Sequence, residues 1–388
     1  MDLDAVLKRA VGRGASDVHL KVGQPPVVRK DGDLQALDEL PALEDADLEA
    51  VLAHVTAVAP ARRELFDATG DLDIAYAHPD LPRFRVNGFR QRGSISFAFR
   101  AIPDRIPKFD ELHLPAGVAR LAGEQRGLVL VTGATGSGKT TTLAAMIDEI
   151  NRTRHQHIVT IEDPIEVLHR DAGCIVNQRE VGLDTEGFGQ ALRRVLRQDP
   201  DVILIGELRD AETAQVALQA AESGHLVFST LHTVDAAETI GRLVEFFPHE
   251  KQAQVVSILA GVLRGVVSQR LLPRLGGGRI PAVEVMVTNA RIAELIREHR
   301  TEEISTAIAE GEYFQMQTFS AALIDLVLGG HVEREVAANA ATNRHDFEVA
   351  LDHAEKAARV AAEQPVATAP VAEPPPEDAT PALRLAAS

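Results

Sequence analysis

Residues 133–140, which read GATGSGKT, constrain this chain more than any other segment. They match the pattern G-x-x-x-x-G-K-[ST] and stand between the apolar segment LVLVT and a stretch of helical periodicity that begins at Lys139. In this setting glycines let backbone N–H groups surround a phosphate, and the helix amino-terminus adds partial positive charge. The segment therefore predicts a nucleoside triphosphate site, with Lys139 reaching the β- and γ-phosphates and Thr140 binding Mg²⁺.

Length and composition indicate a globular chain of two or three domains. The chain has 388 residues, of which 45% are hydrophobic and 25% charged. No uncharged apolar run approaches the roughly 20 residues that cross a bilayer, and the start MDLDAVLKRA lacks the apolar core of a secretory signal. The single cysteine, Cys174, excludes an intrachain disulfide framework and a Cys-rich zinc site. We expect a cytoplasmic protein with no transmembrane segment.

The charge balance argues against a protein that coats nucleic acid. The formal net charge is −17, and the chain has two tyrosines and no tryptophan for stacking on bases. Residues 81–108 are an exception, with seven bases and one acid. This basic stretch is either the solvated face of a sheet or a surface that meets phosphate, and we expect no nucleic-acid partner.

Strand alternation places two of these arginines together. In RFRV (83–86) and SISFAFR (94–100), apolar side chains share one face of each strand, so Arg85 and Arg100 project from the polar face of an antiparallel sheet. Arg83, Arg90 and Arg92 are candidates for a subunit interface or for simple solvated charge.

Four regions separate by pattern. Residues 1–104 resemble an α+β domain, 105–116 a proline-containing linker, and 117–352 an alternation of apolar runs and helices that predicts a mostly parallel sheet. After Pro248 helical periodicity dominates, with one strand candidate at Ala282–Val287. The last region, 353–388, consists of a helix end and a tail rich in Pro, Ala and Glu, which we expect to be disordered.

Polar residues follow three predicted strands. The buried segment VILI ends at Gly206 and Glu207, and Glu207 could polarise a water or hold Mg²⁺ through water. Glu162 and Asp163 follow a second strand, although acids in this position also cap helices. His232 follows a third, as a sensor of the γ-phosphate or a local hydrogen-bonding residue. The carboxyl ends of parallel strands meet at one edge, so these groups should lie beside the P-loop.

The order of GATGSGKT, TIEDPIE, ILIGELRD and STLHT resembles the Walker A, aspartate, Walker B and histidine boxes of the type II and type IV secretion ATPases. The segments ASDVHL, RFRVNGFRQRG and MQTFSAALIDL are similar to the type IV pilus retraction ATPases, the PilT/PilU family. A short amino-terminal region without a four-cysteine insertion favours retraction over extension or secretion. Residues 291–298, RIAELIRE, keep the LIRE half of the retraction motif AIRNLIRE but have Ala293 and Glu294 where that motif has arginine and asparagine, which leaves room for an accessory ATPase of the PilU type.

The resemblance implies a small PAS-like α+β domain, a RecA-like P-loop domain with a helical carboxy-terminal part, and a hexameric ring. It implies an Mg²⁺-dependent ATPase motor that drives pilus retraction from the inner face of the cytoplasmic membrane. The partners it implies are an inner-membrane platform protein and a paralogous pilus ATPase. The catalytic residues that the resemblance implies are Glu162, Glu207 and His232, and the Mg²⁺ ligands that it implies are Thr140 and, through water, Glu207. The residues that bind ATP are Gly133, Thr135, Gly136, Ser137, Gly138, Lys139, Thr140, Thr141, Arg85 and Arg100.

Three alternatives stay open at this point. One is an extension or type II secretion ATPase of the same fold. Another is a ring subunit that binds ATP, hydrolyses little and regulates a true motor. The third, a nucleic-acid motor, is disfavoured by the acidic balance.

Overall fold

The computed structural model describes residues 1–30, 32–102 and 105–363. The expected disordered tail falls largely outside these residues, since the last helix ends at Glu363. The expected linker at 105–116 contains a short helix, α4 (Phe109–Leu112), and the next helix, α5, begins at Ala116. The domain boundaries themselves stay a prediction.

The amino-terminal part is an antiparallel sheet of six strands with the order β3-β2-β1-β6-β5-β4. One face of the sheet packs against three helices, and Leu7, Leu48, Phe66, Phe97 and Phe99 are fully buried between them. The strands are β1 (Asp17–Lys21), β2 (Val27–Lys30), β3 (Asp33–Ala36), β4 (Asp71–Tyr76), β5 (Phe84–Gln91) and β6 (Ser94–Ala101), and the helices are α1 (Leu3–Gly12), α2 (Asp45–Val55) and α3 (Pro60–Thr69).

Arg85 and Arg100 are direct cross-strand partners in β5 and β6. Their strand neighbours Phe84, Val86 and Phe99 are buried in the helix-covered face, so both arginines project from the opposite, exposed face. This is the arrangement that the alternation of apolar and basic residues predicts.

The second sheet has seven strands in the order β13-β12-β7-β11-β10-β8-β9. All of its pairings are parallel except that of β12 with β13. Its strands are β7 (Gly127–Thr132), β8 (His157–Glu162), β9 (Ile175–Glu180), β10 (Val202–Ile205), β11 (Leu226–Leu231), β12 (Leu263–Pro273) and β13 (Arg279–Val287). The helices around it are α5 (Ala116–Ala122), α6 (Lys139–Thr153), α7 (Phe188–Val195), α8 (Ala211–Glu222), α9 (Ala236–Glu245), α10 (His249–Val262) and α11 (Ala290–Arg297).

The expectation of a single strand after Pro248 is wrong. Helix α10 runs directly into β12, which then pairs with both β7 and β13. Because most of β12 is buried on both faces, it shows no period-two alternation, and no Gly or Pro separates it from the apolar helix that precedes it. The sequence pattern therefore hides the junction between the two.

The remaining helices form a smaller apolar core on the β12–β13 hairpin. Leu272 and Ile280 pack there with Phe319, Leu323 and Phe347. Across the described ranges, no helix is long and apolar enough to cross a membrane. The helices of this part are α12 (Ile304–Ala309), α13 (Phe319–Leu328), α14 (Arg334–Ala340) and α15 (Arg344–Glu363), with 3₁₀ turns at Thr301–Glu303 and Glu312–Phe314.

A buried ion pair joins the two sheets. Arg83, the residue before β5, pairs with Glu180 at the end of β9, and their side chains are 13% and 3% exposed. Arg62 of α3 donates from Nη2 to the carbonyl of Val181, 2.9 Å away. Gly182 has φ +84°, and a Cβ there would lie 1.8 Å from Arg62 Nη2. The amino-terminal domain therefore contacts the P-loop domain of its own chain. Arg83, a candidate for a subunit interface in the sequence, instead forms an ion pair within its own subunit.

Candidate nucleotide site

The P-loop connects β7 to α6, and its glycines are required by backbone geometry. Gly133 has φ +141°, and a Cβ there would lie 2.4 Å from the Gln269 carbonyl oxygen and 2.6 Å from Ser137 Oγ. Gly136 and Gly138 have φ values of +80° and +94°, which side chains other than glycine rarely adopt. The loop can therefore fold tightly at the amino-terminus of α6, where backbone N–H groups have no partner within the helix.

Lys139 is folded back onto this loop. Its Nζ donates to the carbonyl oxygens of Gly133 at 2.7 Å and Ala134 at 3.0 Å. Burial lowers the pKa of Lys139, while the nearby carboxylates of Glu207 and Glu166 act in the opposite direction. A polyanion bound at the loop would offset the cost of burying this ammonium charge and would compete with the two carbonyl oxygens for its hydrogen bonds.

Glu162 stands at the carboxyl end of β8 and is almost fully buried. Its Oε1 accepts from Thr160 Oγ1 at 2.6 Å and from Gln178 Nε2 at 3.0 Å. Burial raises the pKa of the carboxyl, and these hydrogen bonds oppose the rise. The group is thus a desolvated carboxylate with an oriented oxygen, as a base in a reaction with water requires.

Glu207 follows β10 and is held by two neighbours. It pairs with Arg209, and its Oε2 lies 3.5 Å from His232 Nε2. The side chain of Glu207 is 18% exposed, whereas those of Arg209 and His232 are 60% and 53% exposed. The carboxylate thus has one cationic partner and one imidazole partner at the open side of the site.

The two arginines of the amino-terminal sheet reach the same space from the other side. Arg100 donates from Nε to Asp17 Oδ1 at 2.8 Å, and Arg85 Nη1 lies 3.6 Å from Glu166 Oε1. Partial burial raises the pKa of Asp17, but hydrogen bonds from Arg100 and Ser16 outweigh it, so the pKa lies below the usual value. Both guanidinium groups are paired with carboxylates and substantially exposed.

These groups line one cavity of about 620 Å³ between the two sheets. Gly133 and Ser137 do not line it, and the Ser137 hydroxyl is buried without a hydrogen-bond partner in the described part of the chain. The expected site residues that do line it are Thr135, Gly136, Gly138, Lys139, Thr140, Thr141, Glu162, Glu207, His232, Arg85 and Arg100.

Several residues of this site escape the sequence motifs. Arg209 could have been noticed because it stands two residues after Glu207, but Gln178, Leu271 and Arg279 come from strands distant in the sequence. The pairing of β9 with β8 brings Gln178 to Glu162, and the pairings of β12 with β7 and of β13 with β12 bring Leu271 and Arg279 to the cavity.

The donor set fits Mg²⁺ bound together with a nucleotide. Within the described residues, no three His, Cys, Asp or Glu side chains cluster as a metal site. Thr140 and Glu207 nevertheless both line the cavity and offer a hydroxyl and a carboxylate oxygen. Mg²⁺ commonly takes few protein ligands and completes its shell with phosphate oxygens and water.

Comparison with known proteins identifies the family of this chain. Residues 115–338 match the model of the family described as type II/IV secretion system protein. The chain is 45% identical to the type IV pilus retraction ATPase PilT of Pseudomonas aeruginosa, over 89% of this chain and 100% of that protein. It is 38% identical to the type IV pilus ATPase PilU of the same organism, over 90% and 91%. A crystal structure of the pilus retraction motor PilT with bound ADP superposes with a TM-score of 0.84 at 44% identity, covering 90% of this chain and 99% of that one.

Proposed function

The chain belongs to the type II/IV secretion system proteins and, within them, to the type IV pilus retraction ATPases, and from this premise we propose that it is the ATP-hydrolysing motor of pilus retraction. In this role it binds ATP in the cavity between its two sheets and converts hydrolysis into movement that removes pilin from the fibre, as in twitching motility. Mg²⁺ bound by Thr140 and, through water, by Glu207 would offset the negative charge of the phosphates.

The cavity itself carries the proposal. The P-loop, two acids at strand ends and a histidine line the cavity from one sheet, and two arginines line it from the other. The P-loop and Lys139 bind and orient the triphosphate, and Glu162 or Glu207 takes a proton from the attacking water. Arg85 and Arg100 approach the charge that develops on the phosphates, a contribution that in P-loop enzymes reaches about 10³–10⁵ in rate. Movement of the amino-terminal sheet would therefore gate hydrolysis.

We also propose the assembly that such a motor needs. In a homo-hexameric ring, ATP would be hydrolysed at one subunit interface at a time. The ring would dock at the inner face of the membrane and act there on an inner-membrane platform protein. The segment 105–116 is the natural hinge between the two domains, because it joins the sheet that carries the arginines to the sheet that carries the P-loop.

The first test is Mg²⁺-dependent release of phosphate from ATP. Glu207→Gln should keep ATP binding while turnover falls by about 10²-fold or more, because the amide cannot accept a proton. Glu222→Gln, an exposed carboxylate at the end of α8, is the matched control and should leave turnover unchanged. Wild-type turnover in Glu207→Gln would remove this residue from catalysis.

A test in cells addresses retraction. The chain should restore twitching to cells that lack their own retraction ATPase but keep the platform protein, and Glu207→Gln should fail to do so. Restored twitching by the Glu207→Gln variant would contradict the motor role.

The second candidate is an accessory ring subunit of the PilU type, which would pair with a paralogous pilus ATPase. It is favoured by Ala293 and Glu294 in α11, where the retraction motif has other residues, and the chain is 38% identical to PilU. A wild-type ring that binds ATP, hydrolyses little and restores twitching only beside a second ATPase would support this alternative.

A further inference from the structure

A second cavity lies among the carboxy-terminal helices. Its volume is about 470 Å³, and it opens where β13 meets α12 and the starts of α9, α13 and α15. It shares no lining residue with the nucleotide cavity. Small-molecule sites have volumes of about 300–1,000 Å³, so this space has the size of a site for a small organic ligand.

Three carboxyl groups line this cavity at different depths. Glu284 of β13 is the most deeply buried of them, at 6% exposed. Asp235, the residue before α9, is half-buried, and Asp346 in the first turn of α15 is exposed at the rim. In the part of the chain that the structure describes, no Lys, Arg or His side chain lines the cavity. The lining therefore carries negative charge only.

The hydrogen bonds to these carboxyls come from neutral groups. They run from Ala236 N to Glu284 Oε1 at 3.0 Å, from Glu238 N to Asp235 Oδ1 at 2.8 Å, and from Asn343 Nδ2 to Asp346 Oδ2 at 2.6 Å. Among residues 1–30, 32–102 and 105–363, none of the three carboxyls forms an ion pair. Backbone and amide donors thus orient the carboxyls but leave their charge without a counter-ion.

Arg270 is the base whose charge acts on Glu284, but its guanidinium is bound elsewhere. It donates to the Ala340 carbonyl and lies 4.0 Å from the centroid of the Phe319 ring. Burial, and to a lesser extent the charge of Asp235, raise the pKa of Glu284 to about 7, and the influence of Arg270 offsets this only in part. A cation inside the cavity would supply the counter-charge that Arg270 does not.

The rest of the lining suits an organic cation better than a metal ion. Ile304, Ile308, Phe319 and Phe347 contribute apolar surface to the cavity. Within the described residues, no three His, Cys, Asp or Glu side chains lie close enough together to hold a metal ion. An ammonium group needs only one carboxylate, and the carbon chain that carries it can pack on the apolar part of the wall.

We propose that this cavity binds a small organic cation, a primary amine with a short apolar chain, and that Glu284 is its principal counter-charge. The ammonium group donates to Glu284, and the carbon chain contacts Phe319 and Phe347. In a diamine, the second ammonium group lies near Asp346 at the rim. The site does not depend on the proposed function, because it uses no residue of the nucleotide cavity.

The experiment compares a charged ligand with an uncharged one of the same length. The wild-type chain is titrated by calorimetry with 1,5-diaminopentane and with 1,5-pentanediol, and only the diamine should bind. Glu284→Gln should weaken diamine binding by about tenfold or more, because a hydrogen bond between two charged groups is lost. Asp346→Asn should weaken it by a smaller factor, and its exposed position keeps this second variant safe for folding, which a thermal melt verifies.

Diamine binding should also depend on pH through Glu284. The charged groups around this carboxyl are Asp235 at the start of α9, Arg270 of β12 and Asp346 of α15, whereas α12 and α13 line the cavity with no charged side chain. Raising the pH from 6 to 8 ionises Glu284 while an alkyl ammonium stays charged. The affinity of the wild-type chain should therefore rise by about tenfold, and that of Glu284→Gln should change little.

Asp352→Asn is the matched control. Asp352 belongs to α15, as Asp346 does, but it pairs with Arg334 and does not line the cavity, so diamine affinity should equal that of wild type. Equal diamine binding by wild type, Glu284→Gln and Asp346→Asn would place the amine on other acids of this negatively charged chain and overturn the site. Equal binding of the diol, or no saturable binding of the diamine, would overturn it as well.

Discussion

Glu162 depends on a residue far from it in the sequence. Gln178 of β9 is the register partner of Thr160, and it donates from Nε2 to both Glu162 Oε1 and the Val167 carbonyl, at 3.0 and 2.8 Å. Its own oxygen accepts from His169 N at 2.8 Å. The amide therefore holds the carboxylate and the loop after β8 in one arrangement.

Gln178→Leu should lower kcat for ATP by about tenfold or more and change KM little. The variant removes a donor from a buried carboxylate, and a buried polar group without a partner costs roughly 1–3 kcal/mol. Steady-state phosphate release over a range of ATP concentrations separates the two constants. Asn177→Leu is the control, because the Asn177 amide contacts His157 on the opposite side of the strand. Equal losses in both variants would indicate a general weakening of β9.

At the scale of elements, Glu284 joins a strand to two helices. It lies in β13, its Oε1 accepts from Ala236 N at the start of α9 at 3.0 Å, and the Phe319 backbone at the start of α13 also hydrogen-bonds to it. Burial raises the pKa of Glu284 to about 7, and the hydrogen bonds and Arg270 only partly offset this. Since α9 begins just after His232, the Glu284 carboxyl connects the edge of the sheet that carries His232 to the carboxy-terminal helices.

Glu284→Gln should flatten the dependence of thermal stability on pH. The pKa of about 7 in the folded state lies above the usual 4.5, so the folded chain keeps a proton that the unfolded chain releases. The contribution of this group is therefore fully present below pH 4.5 and is lost as pH rises through 7, a difference of up to about 3 kcal/mol.

Melting temperatures of both proteins between pH 5.5 and 8 provide the measurement. All other titrating groups are shared, so the difference between the two curves isolates Glu284. Parallel curves would mean that the carboxyl is ionised throughout this range.

The predictable elements are those that the sequence marks locally. The strands before the P-loop, Glu162, Glu207 and His232 are short apolar runs bounded by polar residues, and the structure has strands at all four. β12 could not be predicted, because it is buried on both faces and follows a helix without a break. Gln178 and Arg279 stayed hidden for a related reason, since only long-range strand pairing brings them to the site.

At the scale of the whole molecule, the contact between the two sheets depends on few groups. Arg83 and Glu180 are nearly buried, and Glu180 also accepts from Ile165 N at 3.2 Å. Arg62 adds one bond to the Val181 carbonyl. A buried ion pair of this kind fixes the relative position of the two sheets more than it adds to the free energy of unfolding. Removing one partner is nevertheless costly, because it leaves the other charge buried without a counter-charge.

Arg83→Leu should therefore destabilise the chain by about 3–5 kcal/mol, because Glu180 loses its counter-charge at the contact between the two sheets. ATP turnover should also fall, because this contact holds the sheet with the arginines against the sheet with the P-loop. Adding Glu180→Gln should recover part of the loss, since the double variant has no buried charge there. Denaturant unfolding and phosphate release are measured on all three proteins. Arg13→Leu, which breaks an exposed pair with Glu39, should change both quantities little. An additive double variant would show that the two side chains act independently.

The cross-strand register of Arg85 and Arg100 has a mechanical consequence. The two residues face each other in neighbouring hydrogen-bonded strands, so a rigid movement of the sheet displaces both Cα atoms together. A load that tilts the amino-terminal domain would displace both charges by nearly the same distance. Under the proposed function, a load on the pilus fibre that pulls this sheet away from the P-loop would withdraw both positive charges from the phosphates together.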